Sequence, residues 1–398
     1  METVGKHIVR QPLEALIGTG TRGTQLRVLD MELTERCNNN CIHCYINRPE
    51  KDRDALEREL STDRIRILLN EAAALGCLMV RFTGGEPLLR KDFAQIYRFA
   101  RQCGLKVRLL TNATLITPHL AELFAKLPPL EAIEITLYGM QSATYESVTG
   151  STGSFSAAWQ GIRLLQDSKI PFWVKYVRLP QNRGDIPSFE NWARSSAQTA
   201  NGPAYTVFLE LRGRRDSKFK NRRIGSLNEP PEAGIDFLIE HNPDYLTQLH
   251  RFCDRLDESP SDRLFSCGAG IGCGCVDAYG MLQPCILLRH PDTVYDVTKG
   301  SLKEALVTFL PVIRRQKAQN LDYLERCARC VIRELCDQCP ARSWMATGEL
   351  DRPVEACCRR AHVRAERAGL LQPGRKGWQT GGTVDTRPDI APIRSESR

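Results

Sequence analysis

The stretch Thr34–Tyr45, "TERCNNNCIHCY", decides how the rest of the chain reads. It sets Cys37, Cys41 and Cys44 in a Cys-x3-Cys-x2-Cys triplet, directly after an apolar, strand-like run, Leu26–Leu33. A cubane [4Fe-4S] cluster normally takes four thiolates. Three thiolates leave one iron open to a small ligand, as catalytic metal sites keep one position free. A structural zinc site is the plainer reading. Zinc there wants four protein ligands, however, and no fourth cysteine lies nearby. His43 stands between two close cysteines, an awkward place from which to share their metal.

Outward from the triplet, further apolar runs occur at Leu78–Phe82, Leu105–Leu110, Ala132–Tyr138, Phe172–Val177 and Tyr205–Leu211. They are rich in Val, Ile and Leu, as strands buried on both faces should be. Helix patterns lie between them. One is capped at Ser61 or Thr62, runs through Ile65, Leu68, Leu69 and Ala72, and stops at Gly76. Others fit Asp92–Cys103, Pro118–Ala125, Ser156–Gln166 and Phe189–Gln198. The fold class is therefore α/β: a partial (β/α)6, TIM-like barrel, with function on the loops after the strands. A small cysteine-rich domain folded around metal follows it.

The expected divisions are an N-terminal extension over 1–25, the barrel core over 26–225 and a helical bridge over 226–262. The bridge centres on a helix pattern from Ile235 to Leu256. A cysteine-rich, strand-poor domain over 263–362 would fold around metal instead of a large apolar core. A tail over 363–398, mostly Gly, Pro, Arg and Ser from Leu371 onward, is expected to be disordered.

The chain has 398 residues, enough for a large core. Its sixteen cysteines would fit a secreted disulfide scaffold, but Met1–Pro12 holds Glu2 and no apolar signal core. Clustered cysteines in a large cytosolic chain bind metal more often than they pair, so a cytoplasmic location is expected. No apolar run approaches the length of a membrane span. The net charge of +8 permits an acidic peptide or RNA as partner without requiring one.

A second motif, Thr83-Gly84-Gly85-Glu86-Pro87, closes the second strand. Paired glycines let a backbone approach a ligand closely, and Glu86 can accept hydrogen bonds from an ammonium. With the triplet after strand one, this loop makes a specific pairing. Over Leu26–Arg212 the chain resembles the radical S-adenosylmethionine (SAM) enzymes. The resemblance implies a [4Fe-4S] cluster on Cys37, Cys41 and Cys44, whose open iron chelates the amino and carboxylate groups of SAM. Gly84, Gly85, Glu86 and Pro87 would hold the ammonium. One electron, from a donor such as flavodoxin or ferredoxin, would then release a 5′-deoxyadenosyl radical that takes hydrogen from an unreactive C–H bond. Two departures stand out. The residue before the third cysteine is usually aromatic; here it is His43. The fourth strand ends Thr136-Leu137-Tyr138-Gly139, where "Ser-Leu-Asp-Gly" is common. Thr136 matches the position that touches the SAM carboxylate. A helix arginine that often helps is replaced by Thr149, and Lys175 on the fifth strand is the cation proposed to stand in.

The second cysteine field is Cys327-x2-Cys330-x5-Cys336-x2-Cys339, preceded by Cys267-x5-Cys273 and Gly280-x4-Cys285 and followed by Cys357 and Cys358. Spacing alone does not select zinc over Fe–S. The pattern resembles the SPASM extension of radical SAM enzymes, which carries two auxiliary [4Fe-4S] clusters. The resemblance implies one cluster on Cys267, Cys273, Cys285 and Cys339 and another on Cys327, Cys330, Cys336 and Cys357. One gap is a residue shorter than usual, between Cys336 and Cys339. Cys275 and Cys358 are substitutes for Cys273 and Cys357. Cys77 and Cys103 read as core thiols, and Cys253 has no clear partner.

Enzymes with this arrangement mostly modify peptides or proteins, so the leading expectation is maturation of a ribosomal peptide or peptide-derived cofactor. Alternatives are RNA or a small molecule such as a tetrapyrrole, or a non-catalytic zinc- or Fe-S-stabilised binding protein. A sulfatase-maturating role ranks lower, because Ile286-Leu287-Leu288 stands where those enzymes carry an Asp. About 25 residues precede the first strand, too few for the winged-helix module that binds leader peptides, which calls for a separate leader-binding protein or direct recognition by the core. The basic loop Arg212–Arg223 reads as a solvated loop, with docking of an acidic leader or RNA as the alternative.

Overall fold

The computed structural model describes residues 26–46, 48–196, 199, 202–209, 218–253 and 261–379. The N-terminal extension, the 210–217 part of the basic loop and the tail beyond 379 lie outside these residues. Six parallel strands form an open sheet in chain order: β1 (Val28–Thr34), β2 (Met79–Gly84), β3 (Lys106–Thr111), β4 (Leu130–Leu137), β5 (Trp173–Val177) and β6 (Ala204–Thr206). The first five coincide with the apolar runs, whereas the sixth run, Tyr205–Leu211, is strand only at its start. The reason shows on β1, where Leu29, Met31 and Leu33 join the main core while Asp30, Glu32 and Thr34 on the other face are buried too.

Helices connect the strands. Ser61 caps Thr62–Ala74, its side chain accepting from the Arg64 N–H, and Gly76 follows at φ 81°. A side-chain cap of this kind contributes about 1 kcal/mol. Ile65, Leu68, Leu69 and Ala72 are its buried stripe. Phe93–Gln102, Pro118–Lys126, Ser154–Asp167 and Ile186–Ser195 follow the same logic, and their apolar faces meet the sheet in one continuous core.

Three features depart from expectation. First, the cysteine-rich region contributes short strands to the barrel sheet. Strands β7 (Cys273–Val276), β8 (Met281–Gln283) and β9 (Tyr295–Asp296) extend the barrel sheet past β1, and β7 runs parallel to β1 with Val28 opposite Cys273 and Met31 opposite Val276. Second, the bridge is two helices, Pro231–His241 and Tyr245–Cys253. Pro243 lies between them, has no N–H to donate, and biases Asn242 away from helical backbone. Third, the chain does not become irregular at 363. Residues 363–367 complete the helix Glu355–Arg367, and the turn beyond returns, with Leu371 buried and the Gly377 N–H donating to His362 Nε2 at 3.1 Å. Among the described residues no helix is long and apolar enough to cross a membrane.

Candidate active site

The triplet leaves β1 at its C-terminal end and is held from outside. The Asn40 N–H donates to the Thr149 carbonyl at 2.8 Å and the Ile42 N–H to the Val148 carbonyl at 2.9 Å, so the end of the helix Ser142–Thr149 anchors the loop. Gly150 follows at φ 62°, and a Cβ there would stand 2.8 Å from the Asn40 carbonyl oxygen. Thr149 is fully buried against Ser154 at 2.7 Å, a packing position and not a wall of the site.

The Gly-Gly-Glu-Pro loop lies against the root of the triplet. A Cβ at Gly84 would come within 2.1 Å of the Thr34 carbonyl oxygen, and one at Gly85 within 2.1 Å of that of Arg36. The Gly85 N–H donates to Thr34 at 2.7 Å and the Glu86 N–H to Arg36 at 2.9 Å. The glycines therefore serve the approach of one loop to the other. Glu86 is buried and caps the short turn Pro87–Leu89. Its carboxyl accepts from Leu88 N–H (3.1 Å), the Thr111 hydroxyl (2.8 Å) and Asn112 N–H (2.8 Å). Burial outweighs these bonds and pushes the carboxyl up to about 7. A buried carboxyl of this kind favours a cationic neighbour.

One cavity of about 510 Å³ opens across the C-terminal ends of the strands. Cys37, Cys41, Cys44, Gly84, Gly85, Glu86, Thr136 and Lys175 all line it. Pro87 stands behind the wall as the first residue of its turn. Thr136 and Lys175 are register partners on β4 and β5. Lys175 Nζ pairs with Glu134 Oε1 at 3.3 Å, which supplies the anion that a lysine on a barrel strand requires.

Burial pushes the Cys37 thiol up to about 12 and Cys41 well above its ordinary range, with the neighbouring cysteines adding to both. Such thiols shed their protons to a metal and not to water. Among the described residues no three His, Cys, Asp or Glu side chains gather around one point as a single metal ion needs. A cubane asks for thiolates at separate irons, set apart along a wall. The Asn112 side-chain amide donates toward Cys37 sulfur at 3.8 Å and to Asn38 at 3.0 Å, and Tyr138 hydrogen-bonds the Cys41 sulfur. Neither role was visible in the sequence, since an asparagine after a strand reads as a turn residue.

In the second field, the charge of Cys267 bears on Cys273, Cys285 and Cys339. Cys327, Cys330 and Cys336 form another group, with Cys358 beside Cys327 and Cys330 and Cys357 beside Cys336. Cys275 lies apart, fully buried near Glu32, Asp30 and Arg289. Arg289 ties this region to the barrel: it pairs with Glu32, with Glu35 at 3.1 Å and with Asp277 at 3.9 Å.

A family model described as the radical SAM superfamily matches residues 31–193. This chain carries a radical SAM domain. The Fe-coproporphyrin III synthase of Methanosarcina barkeri is 26% identical over 340 residues, spanning 78% of this chain and 82% of that protein. The PqqA peptide cyclase of Rhodopseudomonas palustris is 34% identical over 167 residues, 42% of this chain and 43% of its own length. Among solved structures, Streptococcus suis SuiB bound to S-adenosylmethionine superposes with a TM-score of 0.63 at 18% identity, covering 84% of this chain and 77% of SuiB. That last likeness is one of fold. The radical SAM domain implies a [4Fe-4S] cluster and SAM, and relatives named synthases and cyclases mark this chain as an enzyme.

Proposed function

We propose that Cys37, Cys41 and Cys44 hold the cluster and that Gly84, Gly85, Glu86, Thr136 and Lys175 receive SAM, with Pro87 fixing the turn. Bound there, the pair supplies a 5′-deoxyadenosyl radical for hydrogen abstraction from a peptide or protein. What carries the reading is that these residues, drawn from four strand ends, line one cavity whose far half is left for a substrate. Buried Glu86 offers its charge to an ammonium, and Lys175, on the strand beside Thr136, can turn from Glu134 to a carboxylate. The walls Tyr138, Val177, Val207 and Leu209 keep water from the reacting carbon. The peptide reading is supported by relatives named peptide cyclase and by the structural likeness to SuiB, also solved bound to its precursor peptide SuiA. A tetrapyrrole is the second reading, because a relative named Fe-coproporphyrin III synthase matches over most of its own length.

The cysteines of the second field are proposed to hold two auxiliary [4Fe-4S] clusters: Cys267, Cys273, Cys285 and Cys339 in one, and Cys327, Cys330, Cys336 and Cys357 in the other. Electrons would come from a flavodoxin or ferredoxin. Anaerobic reconstitution should give about twelve irons per chain, from full thiolate ligation of three cubanes. With dithionite and SAM, 5′-deoxyadenosine should form, and Cys37→Ala should abolish it while removing about four irons. Iron at about four per chain in the wild type would leave the second field without clusters.

A further inference from the structure

Beyond the SAM-facing half, the outer wall of the cavity is strongly basic. Arg342, Arg360 and Arg364 line it together with one acid, Asp337. Arg360 Nε lies 3.1 Å and Arg364 Nη1 3.0 Å from the Asp337 carboxylate, while Arg342 lies at 3.9 Å and donates to the Asp337 carbonyl. Two of these guanidinium groups, Arg360 and Arg364, share one carboxylate, so their charge exceeds its own. The side chains are only 11–22% exposed, so water does little to disperse it. Part is answered on the protein side: Arg360 reaches the Cys357 sulfur at 3.4 Å, and Arg364 is held by the Leu335 carbonyl at 2.7 Å and by Tyr245. Arg360 also lies over the Phe208 ring at 5.2 Å, which fixes its plane in the cavity wall. Planar guanidinium groups fixed in this way match carboxylates, which they bind in paired hydrogen bonds.

We infer that Arg360 and Arg364 form a carboxylate-docking end of the substrate cavity, with Asp337 holding the place when no substrate is bound. The inference rests on the reading that substrate enters this cavity. It places an acidic group of the substrate at the outer wall and the attacked C–H bond toward the SAM end. Acidic side chains of a peptide and propionates of a tetrapyrrole share this chemistry.

The test is a titration of anaerobically reconstituted holoprotein in two arms. One compares coproporphyrin III with its tetramethyl ester; the other compares hexaglutamate with hexaglutamine. In at least one arm the acid should bind about tenfold or more tightly than its neutral counterpart, and the arm tells the source. The Arg360→Gln, Arg364→Gln double variant should weaken that binding about tenfold or more. Asp337→Asn should tighten it, because the internal competitor is gone. Arg359→Gln should leave it unchanged: Arg359 is exposed on the same helix and paired with Glu232 at 2.9 Å, outside the cavity. Equal binding of acid and neutral probes in both arms overturns the inference, as does undiminished binding in the double variant. If the double variant also loses iron, the Arg360→Lys, Arg364→Lys form decides. Restored iron with restored preference for the acid supports docking, and restored iron without it overturns docking. No turnover is needed, so absence of 5′-deoxyadenosine from the wild type would sink the catalytic reading separately.

Discussion

Tyr138 and His43 meet ring to ring, 5.4 Å between centroids, beside the cysteine loop. Both are positions where this chain departs from the common radical SAM pattern, and the structure makes them neighbours. An aromatic residue is usual before the third cysteine. Here the aromatic ring comes from the end of β4, and its hydroxyl reaches the Cys41 sulfur.

That contact predicts a shift in potential. Tyr138→Phe removes one hydrogen bond from a cluster sulfur with almost no change in volume. Hydrogen bonds to sulfur stabilise the reduced cluster, so the potential of the cluster on Cys37, Cys41 and Cys44 should fall. An EPR-monitored redox titration reads it; an unmoved midpoint would mean the bond does not reach the cluster.

Glu86 predicts a pH dependence of stability in the metal-free chain. Its folded value, about 7, lies above its ordinary 4.5, so folding takes up a proton between the two. The stability from this group is fully present below its ordinary value and is lost as pH rises through the folded one. The loss is about 3 kcal/mol in all. Urea unfolding at about pH 5 and about pH 8 should show it, and Glu86→Gln should remove that share.

Lys175 predicts a change in SAM affinity. Lys175→Met should weaken SAM binding about tenfold, the loss of one charge-assisted bond. Glu134→Gln should strengthen it, because Lys175 would no longer be shared. Equilibrium dialysis on the reconstituted protein measures both, and equal affinity in all three forms would remove Lys175 from the SAM site.

Arg289 predicts a large loss of stability. It is the buried cation facing Glu32, Glu35 and Asp277. Arg289→Met leaves those carboxylates uncompensated and should cost about 3–5 kcal/mol in urea unfolding at neutral pH.

The first five barrel strands were legible because strands packed into the core write themselves as apolar runs, whereas the sixth is three half-buried residues at the start of its run. The triplet and the Gly-Gly-Glu-Pro loop were legible because cysteine spacing and paired glycines are rare enough to stand out. What escaped has a common physical cause. Strand β7 reads Cys-Gly-Cys-Val, a run with little strand propensity of its own, and exists by pairing with β1. The helix Glu355–Arg367 shows its arginines plainly, but which of them turn inward depends on Asp337 and Phe208, far away in sequence. That Gly84 and Gly85 also clear Thr34 and Arg36 escaped for the same reason, since those neighbours belong to another loop.

The pairing of β7 with β1 also orders events in time. During synthesis the strand that leads into Cys37 emerges early, yet the partner of Val28 is Cys273, made when most of the chain is already out. Contacts so distant in sequence form late. Until then β1 shows an unpaired edge. The strand that leads into the cysteine loop is therefore completed only once residues 273–276 have been made, and a truncated or stalled chain would keep that edge open.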